Sequence, residues 1–191
     1  MIGVLWRLLT ILGVLAVAFG ILWWTGFLVP LQSSGTSSMA PTIPACDGPT
    51  LAEGFTYRWR DPHRGEIVAF HASGEVGGPV TPDADSRDLS LSKRVVAIPG
   101  DEVVGRDGNV YVNGFKIDDI ETEPFPPVAV GQDEYFVLGD NRSFSQDSRE
   151  FGAVPRDAIF GRVFMVYWPV RDLGSPEIRQ AGPPPGEGLC D

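Results

Sequence analysis

Ser38, in the run Ser38-Met39-Ala40-Pro41-Thr42, stands eight residues beyond Pro30, where a long apolar N-terminal segment ends. A serine hydroxyl is a poor nucleophile until a base removes its proton. Two kinds of base are present. The first is histidine, and the chain has only His63 and His71. His63 lies in Asp61-Pro62-His63-Arg64-Gly65, which reads as a turn, and His71 opens a Gly- and Pro-rich stretch. Nothing in the sequence aims either of them at Ser38. The second is a lysine made neutral by burial, since desolvation disfavours the ammonium form. Lys93 leads directly into Val95-Val96-Ala97-Ile98, so its stem can pack against a core. Most lysines at strand starts are solvated, and position alone leaves both bases open.

A third segment, Gly139-Asp140-Asn141-Arg142-Ser143-Phe144-Ser145-Gln146-Asp147-Ser148-Arg149, follows an apolar strand and carries two Asp, two Arg, three Ser and one Asn. Its plain reading is a polar loop tied down by ion pairs and side-chain-to-backbone turns. Its chemical reading uses a serine hydroxyl to orient the lysine amine while the ion pairs fix the loop. Asn141-Arg142-Ser143 also fits a glycosylation sequon, a short pattern with a high false-positive rate.

The elements that must hold these residues follow from hydropathy. Residues 8–46 carry no charge, and Leu8–Val29 is almost wholly apolar. At 1.5 Å per residue that run makes a helix of about 33 Å, enough for a hydrocarbon core of ~30 Å. Ala16-Val17-Ala18 offers a small-x-small cleavage pattern, the mark of a signal peptide. However, Ile21-Leu22-Trp23-Trp24 and Phe27-Leu28-Val29 continue the apolar run past it, which favours an uncleaved anchor. The expected organisation is a cytoplasmic stretch 1–7 with Arg7, a transmembrane anchor 8–29, an extracytoplasmic domain 31–169 and a Pro/Gly-rich tail 170–191. The positive-inside rule sets that orientation. An extended chain advances ~3.6 Å per residue, so Ser38 would hang on a leash of roughly 30 Å from the bilayer edge.

Beyond the anchor the sequence predicts an all-β, antiparallel domain. Residues 31–50, rich in Ser, Thr, Pro and Gly, taken alone read as a linker. Strands are expected at Glu66–Phe70, Lys93–Ile98, Tyr135–Leu138 and Ile159–Trp168, the last with a bulge at Gly161. Asp107-Gly108 and Asn113-Gly114 flank Asn109–Val112, the strongest hairpin signal in the chain. Residues 71–92 read as a loop inserted between strands.

The chain has 15 basic and 25 acidic residues. Without Arg7 the outer part carries 14 against 25, or −11. That acidity argues against nucleic-acid binding. Cys46 and Cys190 lack the spacing of a zinc site or redox pair; outside a membrane they are free to form a disulfide.

In order, the three segments resemble the boxes of the bacterial signal peptidase I family, membrane-anchored serine peptidases. Ser38–Thr42 looks like the nucleophile box, Lys93–Asp101 the lysine box, and Gly139–Arg149, continued by Gly152-Ala153-Val154-Pro155, the long Gly-Asp-Asn-Arg box. Arg64-Gly65-Glu66-Ile67-Val68 resembles a fourth, structural motif. The likeness covers about residues 4–168. It implies Ser38 as nucleophile and uncharged Lys93 as general base. The Ser38 N–H and the Thr36 hydroxyl become oxyanion donors, and Ser145 the residue orienting the lysine. Arg94, Asp140, Asn141, Arg142, Asp147 and Arg149 become the residues locking the loop.

The resemblance further implies substrates that are preprotein signal peptides cut after small residues, in contact with the bilayer and the secretion machinery. It implies neither metal nor cofactor. Departures are Thr36-Ser37 where many members have Ser-Gly, Cys46-Asp47 for Gly-Asp, and one span where some relatives have two. Two other readings stand beside it: a Ser-Lys peptidase specialised for pilin-like or conjugation substrates, and a non-catalytic membrane-tethered β-domain.

Overall fold

A computed structural model of the chain describes residues 2–24, 28–31, 37–43, 50–72 and 90–166. The N-terminal apolar run forms α1 (Ile2–Trp24), 23 residues or about 35 Å at 1.5 Å per residue. Its described side chains, Val4 to Ile21, are all exposed. The helix is long and apolar enough to cross a membrane, by length and composition.

The helix stops short of the expected anchor boundary at Val29. Leu28–Leu31 is strand β1, antiparallel to β2 (Thr50–Glu53), with Leu28 opposite Glu53 and Leu31 opposite Thr50. A short apolar run has the same composition in a buried strand as in a helix, so hydropathy did not separate them. The sheet therefore begins at residue 28, ahead of the expected domain start at 31.

The remaining strands are β3 (Ile67–His71), β4 (Ser90–Ala97), β5 (Glu102–Arg106), β6 (Asn109–Val112), β7 (Phe115–Lys116), β8 (Phe125–Ala129), β9 (Glu134–Leu138), β10 (Val154–Pro155) and β11 (Ile159–Val166), with one helical turn, α2 (Ser148–Phe151). They form a seven-stranded sheet in the order β1-β2-β11-β3-β4-β9-β10 and a four-stranded sheet in the order β7-β6-β5-β8. Every pairing is antiparallel. The all-β reading holds.

In the small sheet the two predicted turns are found. Asp107 (φ 53°), Gly108 (φ 75°), Asn113 (φ 51°) and Gly114 (φ 83°) occupy the left-handed region that a primed two-residue hairpin requires. The bulge expected at Gly161 is present as a register shift between Ile159 and Gly161 against β3. A Cβ there would meet the Glu53 carbonyl at 3.2 Å, so this corner keeps a glycine.

Burial explains why the large sheet is rigid where it carries the site. Ile67–Phe70 of β3 are fully buried on both faces. Val68, Phe70, Val95, Tyr135, Val137 and Phe151 fill one face. Ile67, Ala69, Met39, Ile43 and Val163 fill another core, and Phe136, Leu138, Val103 and Val110 join the two sheets.

Two expectations change here. Ser37–Ile43 is not linker: Met39, Ala40, Thr42 and Ile43 are buried. The loop expected over 71–92 is shorter, since His71 ends β3 and Ser90–Ser92 begin β4. The tail 170–191, both cysteines and most of that loop lie outside the described residues.

Candidate active site

Lys93 sits in β4 directly opposite Val68 of β3. Alternation along the strand puts its side chain on the face of Val68 and Val95, a packed apolar surface. It is only 3% exposed. Burial pulls its amine down to about 8; Asp147 draws it partway back and Arg149 pushes it down further.

Ser38 opens a tight turn over 38–42, closed by Ala40 N–H to the Ser37 carbonyl at 3.1 Å and Ile43 N–H to the Met39 carbonyl at 2.9 Å. Met39 and Ile43 anchor the turn in the core, and Ser38 itself is buried. The turn is stitched to the Gly139–Arg149 loop. Asn141 N–H donates to the Ser38 carbonyl at 3.0 Å, and Asn141 Nδ2 donates to the Ser37 carbonyl at 3.1 Å.

The loop is held by acids and guanidinium groups with interlocking partners. Asp147, fully buried, accepts from Gly139 N–H at 3.0 Å and from Arg149 Nε at 2.8 Å and Nη2 at 2.9 Å. It also caps α2 by accepting from Arg149 N–H. Arg149 Nη2 reaches on to the Arg142 carbonyl at 2.7 Å. Arg94 forms a fork with Asp140, Nε at 2.7 Å and Nη2 at 2.6 Å, and Nη1 donates to the Gly65 carbonyl. Planar bidentate pairing of this kind fixes orientation as well as distance.

Gly139 is where the segments meet. It follows Leu138, whose register partner is Arg94, so the strand carrying Lys93 runs alongside. A Cβ at Gly139 would lie 2.1 Å from Ser145 Oγ and 2.5 Å from the Ser38 carbonyl oxygen. Only a residue without a side chain admits that approach. Ser38, Lys93, Gly139 and Ser145, more than 100 residues apart at the extremes, thus share one corner of the sheet.

Not every sequence expectation takes the expected form. Ser145 Oγ is buried and has no hydrogen-bond partner among the described residues, so the bond from Ser145 to Lys93 is not made. Its surroundings are set by Gly139 and the Ser38 carbonyl, which crowd that hydroxyl. Asn141 acts through backbone carbonyls and not as part of an ion pair. Arg142, 2% exposed in its side chain, pairs with Asp118 at 2.6 Å and also donates to Thr122 Oγ1 at 2.8 Å and the Gly139 carbonyl at 2.9 Å. Asp118 and Thr122 escaped the sequence reading, because the contact joins the loop to the small sheet across 24 residues with no local signal. Thr36 lies outside the described residues. His63 is exposed on its turn; His71 stacks on Phe160 with ring centroids 4.4 Å apart. His71 pairs with Ser90, three positions along β4 from Lys93, or about 10 Å.

The sequence profile of the family described as signal peptidase, peptidase S26, matches residues 5–168. The chain belongs to that family. It is 41% identical over 153 residues to the Probable signal peptidase I-2 of Synechocystis sp. (strain ATCC 27184 / PCC 6803 / Kazusa), spanning 78% of this chain and 67% of that one. To the signal peptidase I of Leptolyngbya laminosa it is 35% identical over 164 residues, spanning 83% and 76%. A crystal structure of a signal peptidase I from Enterococcus faecalis V583, 28% identical, covers 55% of this chain and 97% of its own, with a TM-score of 0.43. As a member of the signal peptidase family the chain is a serine endopeptidase, and an N-terminal helix of membrane-spanning length precedes its β-domain. Beside the turn of this signal peptidase a cavity of about 450 Å³ opens, lined among others by Thr42, Arg94, Ile117, Asp140 and Arg142.

Proposed function

We propose that this signal peptidase cleaves the signal peptides of exported preproteins with Ser38 as nucleophile and Lys93 as general base. The supporting observation is a lysine amine desolvated to about 8, beside a loop that grips the backbone of the serine. A neutral Lys93 Nζ accepts the Ser38 hydroxyl proton as Oγ adds to the carbonyl carbon of the scissile peptide. The negative oxygen that forms is stabilised by the Ser38 N–H and the Thr36 hydroxyl, where one such donor is worth ~2.7–4 kcal/mol. The Lys93 ammonium then gives its proton to the leaving amine nitrogen. The C–N bond breaks, the mature amino terminus departs and an ester to Ser38 remains. Water, losing a proton to Lys93, attacks that ester and frees the signal peptide. Ser145, whose buried hydroxyl lies beside Gly139 and has no other partner among the described residues, is read as the group that orients the amine, and Arg94, Asp140, Asn141, Arg142, Asp147 and Arg149 hold the loop still. Substrates carry small residues at the first and third positions before the cut, because shallow pockets exclude larger ones.

In this reading α1 spans the cell membrane with the N-terminus in the cytoplasm and the β-domain outside, as the bias of Arg7 directs. The test is direct. Ser38→Ala and Lys93→Ala should each abolish processing of a purified preprotein in detergent, with circular dichroism unchanged. Turnover retained in either variant rejects the dyad.

A further inference from the structure

Asn141 grips the backbone on both sides of the Ser38 α-carbon. Its side-chain Nδ2 donates to the Ser37 carbonyl at 3.1 Å, and its own N–H donates to the Ser38 carbonyl at 3.0 Å. Ala40 N–H also donates to the Ser37 carbonyl, at 3.1 Å. Nδ2 is the end of the side-chain amide that faces this carbonyl, since the reversed amide would set oxygen against oxygen.

The bond from Nδ2 reaches further than the oxygen it ends on. The Ser37 carbonyl and the Ser38 N–H belong to one planar, trans peptide unit, so they point in opposite directions. Fixing the Ser37 oxygen with two donors therefore fixes where the Ser38 N–H points, which is away from Asn141. A carbonyl that accepts hydrogen bonds also polarises its peptide unit, making the N–H at the other end a better donor. That N–H has no acceptor among the described residues. The bond from the Asn141 N–H holds the following peptide unit. Both planes flanking Ser38, and with them the direction of its Cα–Cβ bond, are set from one residue.

Asn141 is itself held fast. It is buried, and its carbonyl accepts from Phe144 N–H at 3.1 Å. Its neighbours in the chain are two of the residues that the ion pairs secure. Asp140 sits in the Arg94 fork, and Arg142 is bound to Asp118, Thr122 and the Gly139 carbonyl. The stiffness of the loop thus reaches Ser38 through the amide between those two anchors.

We propose that Asn141 is the positioning residue of the oxyanion site: by holding the Ser37 carbonyl, its side chain aims the Ser38 N–H at the negative oxygen that develops on the scissile carbonyl. This deepens the reading of Ser38 as nucleophile, with its own N–H as donor, and rests on it. Asn141 acts through a peptide plane and not on the substrate.

The test uses the full chain in detergent with two variants. Asn141→Ala removes the side-chain donor; Asn141→Asp keeps the size of the side chain, replaces the donor by an acceptor, and carries the test should the first not fold. Both retain the backbone N–H to the Ser38 carbonyl. kcat is read on the alkaline plateau of each variant's own pH profile, so that a change in the Lys93 amine does not enter. It should fall by roughly 10- to 100-fold, less than the ~10²–10³ that outright removal of an oxyanion donor costs. KM should stay within about twofold, as for an interaction made only in the transition state.

The decisive readout is binding of a signal-peptide aldehyde. Ser38 Oγ adds to its carbonyl carbon, the hydroxyl proton passes to Lys93 Nζ, and an electron pair of the C=O bond moves to the oxygen in the oxyanion site. The matching peptide alcohol makes the same side-chain contacts and cannot be attacked. Both variants should lose aldehyde affinity by the factor lost in kcat/KM, while binding the alcohol as wild type does. Equal weakening of aldehyde and alcohol overturns the proposal, because it marks a site merely distorted. A wild-type chain that forms no Ser38 adduct, by NMR of an aldehyde labelled at its carbonyl carbon, overturns the nucleophile reading and this one together. An adduct formed by wild type and equally well by the variants leaves the nucleophile in place and removes Asn141 alone.

Discussion

Lys93 carries a conflict between stability and chemistry. With its amine at about 8, about a tenth of the protein holds the neutral base at pH 7, because each pH unit below that value costs a factor of ten. kcat/KM should rise roughly tenfold from pH 7 and level off above about 9; a limb that disappears in His63→Ala or His71→Ala would reverse the assignment of the base. The same shift acts on folding. In the unfolded chain the lysine keeps its proton up to its ordinary 10.5, so between about 8 and 10.5 the unfolded state binds more protons and stability rises with pH. Below 8 the full cost of a desolvated charge is present. Lys93→Met should therefore stabilise the fold at pH 7 by roughly 1–3 kcal/mol, a gain that shrinks toward pH 10.5, measurable by urea denaturation.

Gly139 gives a second residue-scale prediction. Gly139→Ala places a methyl group against Ser145 and the Ser38 carbonyl, so kcat should fall by ~10²-fold or more through displacement of the turn, the penalty for about 1 Å of misplacement. KM should change far less. Ser38 and Lys93 stand out in the sequence as candidates because of their neighbours: an apolar segment before the first and an apolar strand after the second. The solitary state of Ser145 could not be read, since it depends on how closely two backbones approach.

Among the elements, local chemistry was legible and distant pairing was not. Asp107-Gly108 and Asn113-Gly114 specify their turns by the left-handed backbone they tolerate, whatever lies around them. Leu28–Leu31 and Ser90–Ser92 take strand form only because β2 and β3 are there to pair with, and no window of sequence contains that fact. The clamp from Arg142 to Asp118 and Thr122 belongs with these. It ties the Gly139–Arg149 loop to the stretch following β7, so its loss should be felt in both places. Arg142→Ala leaves the half-buried Asp118 carboxylate and the Gly139 carbonyl without their donor, and should destabilise by about 1–3 kcal/mol. Arg142→Lys should recover little of this, because an ammonium cannot serve the three acceptors of a planar fork. Chemical denaturation of the two variants against wild type measures both.

At the scale of the whole molecule, the described side chains of α1, Val4 to Ile21, are all exposed, and none of them belongs to the three cores of the β-domain. Deleting residues 1–24 should leave the denaturation midpoint of the domain within the error of surface changes, about 0.5 kcal/mol. Peptide hydrolysis in detergent should survive, while vesicle-embedded preprotein should be processed far more slowly for want of effective concentration. The apolar N-terminal helix was legible from composition alone, while strand β1 begins inside the run that composition assigned to it.

That strand changes how far the reactive corner can wander. With Leu28–Leu31 clamped against Thr50–Glu53, much of the slack assumed between bilayer and hydroxyl is taken up by the sheet. Under the proposed topology, the height of Ser38 above the lipid follows from where that sheet stands, like a cutting gauge held at a fixed setting. A polypeptide threading out of the membrane is then measured before it is cut: one whose apolar stretch ends too soon or too late presents the wrong bond at that height, however small its side chains.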